Sequence, residues 1–294
     1  MEAAIEAKPT LYTAMRNRWP LWAGLAILAV PTTIAVGKQV WSTEFGAHGP
    51  IVLMTGLWIL SRKAEDLRSH AKRGSLWLTI LLVLAGVAVY AFGRAYDFIT
   101  FEVGGLYAIA LGYLHDVVGL RAMLRNWFPL FYLGFVVPPP SWLMDNLTAP
   151  LKTFVSFSAT AILQACGLPI IREGVTLLVA QYQLLVEDAC SGMNSLIGLI
   201  AISLFYIYLL RNASWRYSAF LVCMVIPIAI IANIFRIIVL VLLTYFFGDG
   251  VAQSFLHMAA GLFLFASSLA LVFLIDHLVS LLGFGKEVKD GRPA

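Results

Sequence analysis

A cysteine, an arginine and a histidine, each at or within a different apolar stretch, are the residues of this chain best suited to covalent chemistry. Cys190 stands in Val186-Glu187-Asp188-Ala189-Cys190-Ser191-Gly192-Met193, just ahead of the apolar run Leu196–Leu210. The thiolate is the nucleophilic form of cysteine, and a free thiol with a pKa near 8.5 is only a few per cent ionised at neutral pH. A helix N-terminus favours the anion. Glu187 and Asp188 act against it, because like charges raise a thiol's pKa. Cys190 therefore needs a cation or a general base from elsewhere, with Ser191 completing its immediate surroundings. Arg236, inside the apolar stretch 228–243, and His257, ahead of the last apolar run, are the suppliers. An arginine in such a stretch costs about 2.5–3.5 kcal/mol even on the lenient insertion scale, so function is its default reading. Asn233, three residues earlier on the same helical face, can orient or hydrogen-bond the same group. In this scheme Cys190 attacks a backbone carbonyl, His257 handles protons for thiol and leaving amine, and Arg236 stabilises the oxyanion or the thiolate.

Each assignment has a plainer rival. A cysteine at a helix end is commonly just a small apolar side chain, and His257 reads equally as an interfacial histidine. Among the other histidines, His70, His115 and His277 fall on the opposite side of the topology below, leaving His48 as the competitor. Cys223 is expected to be inert and Cys166 structural, with no Cys166–Cys190 disulfide.

The elements that must position these residues are membrane helices. Of the 294 residues, 61% are hydrophobic and 12% charged, and the mean hydropathy is +0.86. A soluble domain of this length cannot hide so much apolar surface, and a bilayer removes the need. The net charge of +4 does not indicate nucleic acid, since the charges sit in short clusters between apolar runs. Three cysteines without CxxC or Cys/His ligand spacing support neither a disulfide framework nor a structural metal. No metal or organic cofactor is expected.

About eight spans are predicted, centred on 19–37, 49–61, 75–93, 98–115, 126–138, 191–210, 217–247 and 254–282. The first is longer than a signal-peptide core and lacks a cleavage site after it, so it reads as retained. Pro227 is expected to kink the seventh. With the N-terminus placed inside, fifteen of the twenty basic residues fall in inner segments. Only Lys38, Arg94, Lys152 and Arg172 lie outside, and Arg236 is intramembrane. Both termini are then cytoplasmic. Cys190, Arg236 and His257 converge on the outer side, although nothing in the charge count required it.

Between spans five and six, Pro138-Pro139-Pro140 precedes an amphipathic helix over 145–164. Its Leu147, Leu151, Phe154, Val155, Phe157, Ala161 and Ile162 are expected to face the membrane. Runs at 175–179 and 183–186 then predict a small β-hairpin that delivers the chain to Cys190. Its edge offers an extended peptide a site for strand addition. The fold class is thus an all-α integral membrane protein with an outer amphipathic helix and a small hairpin. It is a single polytopic domain: catalytic core 126–282, accessory spans 1–125, cytoplasmic tail 283–294.

Several of these pieces, in order, resemble the exosortase/archaeosortase family of membrane cysteine transpeptidases. They are Pro138-Pro139-Pro140, Gly167-Leu168-Pro169-Ile170 with Arg172-Glu173-Gly174, Ala189-Cys190-Ser191-Gly192, Asn233-Ile234-Phe235-Arg236, and His257. The resemblance covers roughly residues 130–275. It implies that Cys190 is the nucleophile and that Arg236 and His257 complete the site. It also implies substrates with a PEP-CTERM-like tail: a short motif, a transmembrane helix and a basic cluster. Cleavage ahead of that helix, through a thioester, and transfer to a lipid- or glycan-type surface acceptor would follow, in the inner membrane of a prokaryote. Two other readings fit the residues: an intramembrane cysteine protease with water as acceptor, and a transporter in which Arg236 binds an anion. The near absence of charge in the cytoplasmic halves, Asp276 apart, favours a one-sided site.

Overall fold

The computed structural model describes residues 19–43, 46–179, 181–185, 196–210, 215–248, 250–251 and 261–281, which are mostly helical. The chain divides into two compact units, Met1–Ser42 with Gly49–Pro138, and Thr43–His48 with Pro139–Ala294.

Unit 1 contains α1 (Trp19–Gln39), α2 (Gly49–Arg62), α3 (Ala64–Ser69), α4 (Leu76–Ala95), α5 (Ile99–Arg125) and α6 (Trp127–Leu133), the last running into a 3-10 turn at Gly134–Val136. Its frame is the α4–α5 hairpin, in which glycines a heptad apart let two backbones meet. A Cβ on Gly93 would stand 2.2 Å from the Glu102 nitrogen, and one on Gly105 would stand 2.3 Å from the Tyr90 nitrogen. Small residues are the usual means of close helix contact in a membrane, where lipid offers no hydrophobic drive to association. Glu102, buried on α5, accepts a hydrogen bond from the Thr32 hydroxyl of α1 at 2.7 Å and pairs with Arg94 of α4 at 3.3 Å. The fourth apolar run, expected to end at 115, continues as helix to Arg125. Gly119, at φ 76°, breaks it where the Lys72 amide bonds to the Val118 carbonyl.

Unit 2 contains α7 (Ser141–Ala165), strands β1 (Ile170–Glu173), β2 (Thr176–Val179) and β3 (Tyr182–Leu185), then α8 (Leu196–Leu210), α9 (Trp215–Phe247) and α10 (Gly261–Leu281). The expected hairpin is β2–β3. The structure adds β1, making an antiparallel sheet in the order β1-β2-β3. Gly174, at φ 64°, opens the two-residue β1–β2 loop, a backbone that glycine adopts without strain. Ile170, Leu177, Val179 and Leu184 of the sheet pack on Val155, Ala159 and Leu163 of α7 and on Ile237, Leu240 and Val241 of α9. This corrects the expected face of α7. Phe154, Phe157 and Ile162 are exposed as predicted, but Val155 is fully buried and Leu151 packs against the same cluster. The sheet, not lipid, covers that stripe.

Among the described residues, four helices are long and apolar enough to cross a membrane: Trp19–Gln39, Leu76–Ala95, Ile99–Arg125 and Ala219–Phe247. Gly49–Arg62, Trp127–Val136, Ile197–Leu209 and Leu269–Val279 are shorter apolar helices. The long α9 continues as helix across Pro227.

Candidate functional site

The site is built from α9 outward. Leu199 of α8 packs with Val225, Ile228 and Ala229 of α9 and with Val272 of α10. Ile207, eight residues further along α8, packs with Tyr217 and Leu221, about eight residues back along α9. Helices α8 and α9 therefore run antiparallel in a steady register. On the neighbouring face, Ile237, Leu240 and Val241 support the sheet. Between these two contacts lie the two described members of the expected site.

Asn233 is fully buried, one turn on from Ala229, and its side-chain amide donates to the Ala229 carbonyl at 3.0 Å. Its Oδ1 accepts no hydrogen bond among the described residues. Buried acceptors in this condition are few in native structures and usually have a specific reason. Arg236, three residues on and 4% exposed, carries its charge into the same interior. A guanidinium there offers a fork of donors suited to an oxyanion, a carboxylate or a thiolate.

Glu187, Asp188, Cys190, Ser191 and His257 lie outside the described residues. The elements leading to them are in place. Strand β3 ends at Leu185, α8 begins at Leu196 and α10 begins at Gly261. His48, the competitor histidine, belongs to unit 2. It lies against the first turn of α8, where a Cβ on Gly198 would come within 2.8 Å of it. The other described histidines lie elsewhere: His115 is buried in unit 1 beside the Thr79 hydroxyl, His70 bonds around Asp66, and His277 is exposed.

Two buried charges in unit 2 deserve equal notice. Asp276, noted in the sequence as an intramembrane acid, accepts hydroxyls from Tyr206 at 2.9 Å and Tyr217 at 2.6 Å, joining α10 to α8 and α9. Lys152, counted in the sequence only as an external basic residue, is 7% exposed on the packed face of α7. Its position in the stripe Thr148, Lys152, Val155, Ala159 was the available signal. Among the described residues, no group of three or more His, Cys, Asp or Glu side chains could hold a metal ion.

The family model described as transmembrane exosortase covers residues 40–274, which include Cys190, Asn233, Arg236 and His257. No curated protein and no solved structure matches the chain.

Proposed function

We infer the chemistry from one premise: this chain belongs to the transmembrane exosortase family. That membership supports a membrane-embedded transpeptidase of sorting type. We propose that the chain cleaves a C-terminal sorting signal from membrane-tethered exported proteins at the outer face, through a thioester on Cys190, and passes them to a surface acceptor.

The observation that supports this reading is a buried polar step on α9: Asn233 is fully buried with an Oδ1 that accepts no hydrogen bond among the described residues, and Arg236 follows three residues on at 4% exposure. Arg236 lies nine residues beyond the middle of the 225–229 group that packs on Leu199 of α8, about 13 Å along α9.

The Cys190 thiol gives its proton to His257 as its sulfur attacks the scissile carbonyl carbon, and the C=O π electrons move to oxygen, where Arg236 stabilises the negative charge. The C–N bond breaks as His257 delivers a proton to the leaving amine, which departs with the substrate's membrane helix. A nucleophilic group of the acceptor then attacks the thioester, losing its proton to His257, and Cys190 is released. The β3 edge, which among the described residues pairs only with β2, suits an extended peptide added as a further strand.

Coexpression with a tail-signal protein tests this. Cys190→Ala is expected to abolish processing, and a thioester trapped on Cys190 would identify the nucleophile. Undiminished cleavage by Cys190→Ala would end the assignment. Release of the free acid in place of a conjugate would make water the acceptor.

A further inference from the structure

Arg172 of β1 stands at the edge of a cavity that the chemistry above does not use. The cavity, about 330 Å³, lies between α7 and β1. Phe157, Ala161 and Gln164 border it on the helix, and Ile170, Ile171 and Arg172 on the strand. The guanidinium is held there twice. It lies over the Phe157 ring at 5.7 Å and donates from one terminal nitrogen to the Gly174 carbonyl at 2.8 Å. A guanidinium has five N–H donors, so this single bond among the described residues leaves the fork able to take an oxyanion. Among the described residues no carboxylate borders the cavity. Glu173, the next residue, is exposed, and strand alternation sends it to the opposite face of β1.

Two features decide what kind of anion fits. Ile170 commits both backbone groups outside the ladder: its N–H donates to the Leu168 carbonyl at 3.0 Å, and its C=O accepts the Gln164 amide at 2.7 Å. An extended peptide added to this edge would need those groups, so a further strand does not fit here. The apolar wall of the cavity, in contrast, continues onto the outside of α7. Phe154 and Phe157 are exposed, and Ala161, exposed as well, follows them at helical spacing on one face. In a membrane-embedded chain such a face lies against acyl chains. A cation above an apolar wall that opens onto this face matches the junction between a phospholipid's phosphate and its chains. The volume is at the low end of the roughly 300–1,000 Å³ usual for ligand sites. It admits a headgroup and leaves the chains outside, on the helix.

We propose that the cavity between α7 and β1 binds the phosphodiester headgroup of a membrane phospholipid, with Arg172 as the partner of the phosphate. The exposed face at Phe154 and Phe157 carries the acyl chains. The sheet is thereby moored to lipid at β1, while its β3 edge stays open. The proposal needs only that the chain is embedded in a membrane, and it does not depend on the role of Cys190.

The test uses the full chain in detergent with phosphatidylglycerol that carries a photoreactive diazirine in its headgroup. Crosslinked residues are read by peptide mass spectrometry. Labelling is expected within 157–172 and is competed by unlabelled phosphatidylglycerol. Arg172→Gln is expected to lower labelling there about tenfold, and Arg172→Lys about threefold, because an ammonium keeps the charge without the fork. Ala161→Glu, which sets a carboxylate in the cavity from an exposed position, is expected to remove the labelling. Labelling of 157–172 that is unchanged in Arg172→Gln or in Ala161→Glu overturns the site. If Arg172→Gln fails to accumulate, Ala161→Glu decides alone. Diacylglycerol, which lacks the phosphate, is expected to compete at least tenfold more weakly, and equal competition overturns recognition of the phosphate. Inorganic phosphate that competes as well as the lipid would give the cavity to a free anion and overturn the lipid assignment. Displacement by a soluble acidic peptide, where phosphatidylglycerol does not compete, would give it to a protein ligand and overturn the proposal. Labelling needs neither substrate nor thiol, so its failure is distinct from failure of the processing assay.

Discussion

Glu102 in unit 1 and Arg236 in unit 2 are both charges buried on apolar helices, 3% and 4% exposed, yet their surroundings differ in kind. Glu102 is met by its own neighbours: the Thr32 hydroxyl at 2.7 Å, and Arg94, whose side chain is 53% exposed. Those contacts join α1, α4 and α5, and a complete account of the carboxylate needs nothing outside unit 1. At Asn233, one turn before Arg236, the account is incomplete. The Asn233 carbonyl oxygen is fully buried and accepts nothing among the described residues. A closed polar network specifies packing, whereas an open one in the same apolar setting marks a place where another group is to be received.

The largest effect should come from breaking the open side. Arg236→Ala is expected to lower processing about 10²–10³-fold, the usual consequence of removing an oxyanion donor. Arg236→Lys should recover little, since a point charge does not reproduce the guanidinium fork. Immunoblots of tail cleavage at matched enzyme levels would read this. Processing by Arg236→Ala at the parental rate would place Arg236 with Glu102, as a packing residue.

Asp276 sharpens the comparison from within unit 2, because it is a closed network on the same helices. Asp276→Ala strands the Tyr206 and Tyr217 hydroxyls and should cost about 1–3 kcal/mol of stability. Residual processing per folded molecule should be altered less than by Arg236→Ala. Glu102→Ala is expected to fall at the lower end of the same range, since Arg94 can turn to water and Thr32 retains the Leu28 carbonyl at 2.9 Å. Thermal unfolding in detergent beside the processing assay separates the two quantities. A Glu102→Ala protein with parental stability and lost processing would reverse the roles assigned to the two units.

What the sequence made legible follows the same division. Apolar runs located the helices because span length is a property of local composition. The β2–β3 hairpin was visible in its alternation, and the order of motifs from Pro138 to His257 carried the family. Strand β1 was missed because Ile170–Glu173 is short and its Ile171 is 63% exposed, so the pairing that makes it a strand is tertiary. The buried placing of Val155 was missed for a related reason: periodicity marks an apolar face but not whether lipid or protein covers it. The burial of Lys152 was not legible because a basic residue counted for topology carries no sign of the sheet packed over its helix. The break at Gly119 depends on a close approach by the Lys72 backbone, 47 residues earlier, which no local pattern announces.

The smallest effect lies at an exposed closed network in unit 1. Asp66 of α3 accepts a hydrogen bond from the Asn126 amide at 2.8 Å and is approached by Arg125 and by His70, both at 3.5 Å. The Asn126 bond chiefly holds its carboxyl below the ordinary value of 3.8; slight desolvation opposes this, and Arg125, His70 and Lys63 assist. A folded-state pKa below the unfolded one contributes stability that is present above the unfolded pKa and is lost as pH falls through the folded pKa. Asp66→Asn removes the titration, so the gap in melting temperature between parent and variant should be constant above about pH 5 and should close below about pH 4. The gap should be small because the pairs are exposed and screened by salt. It should also leave tail processing untouched, unlike the buried charge at Arg236. A gap that persists unchanged to the acid limit would mean that the Asn126 bond does not depend on the ionised carboxylate. The closed networks of unit 1 would then be held by shape rather than by charge.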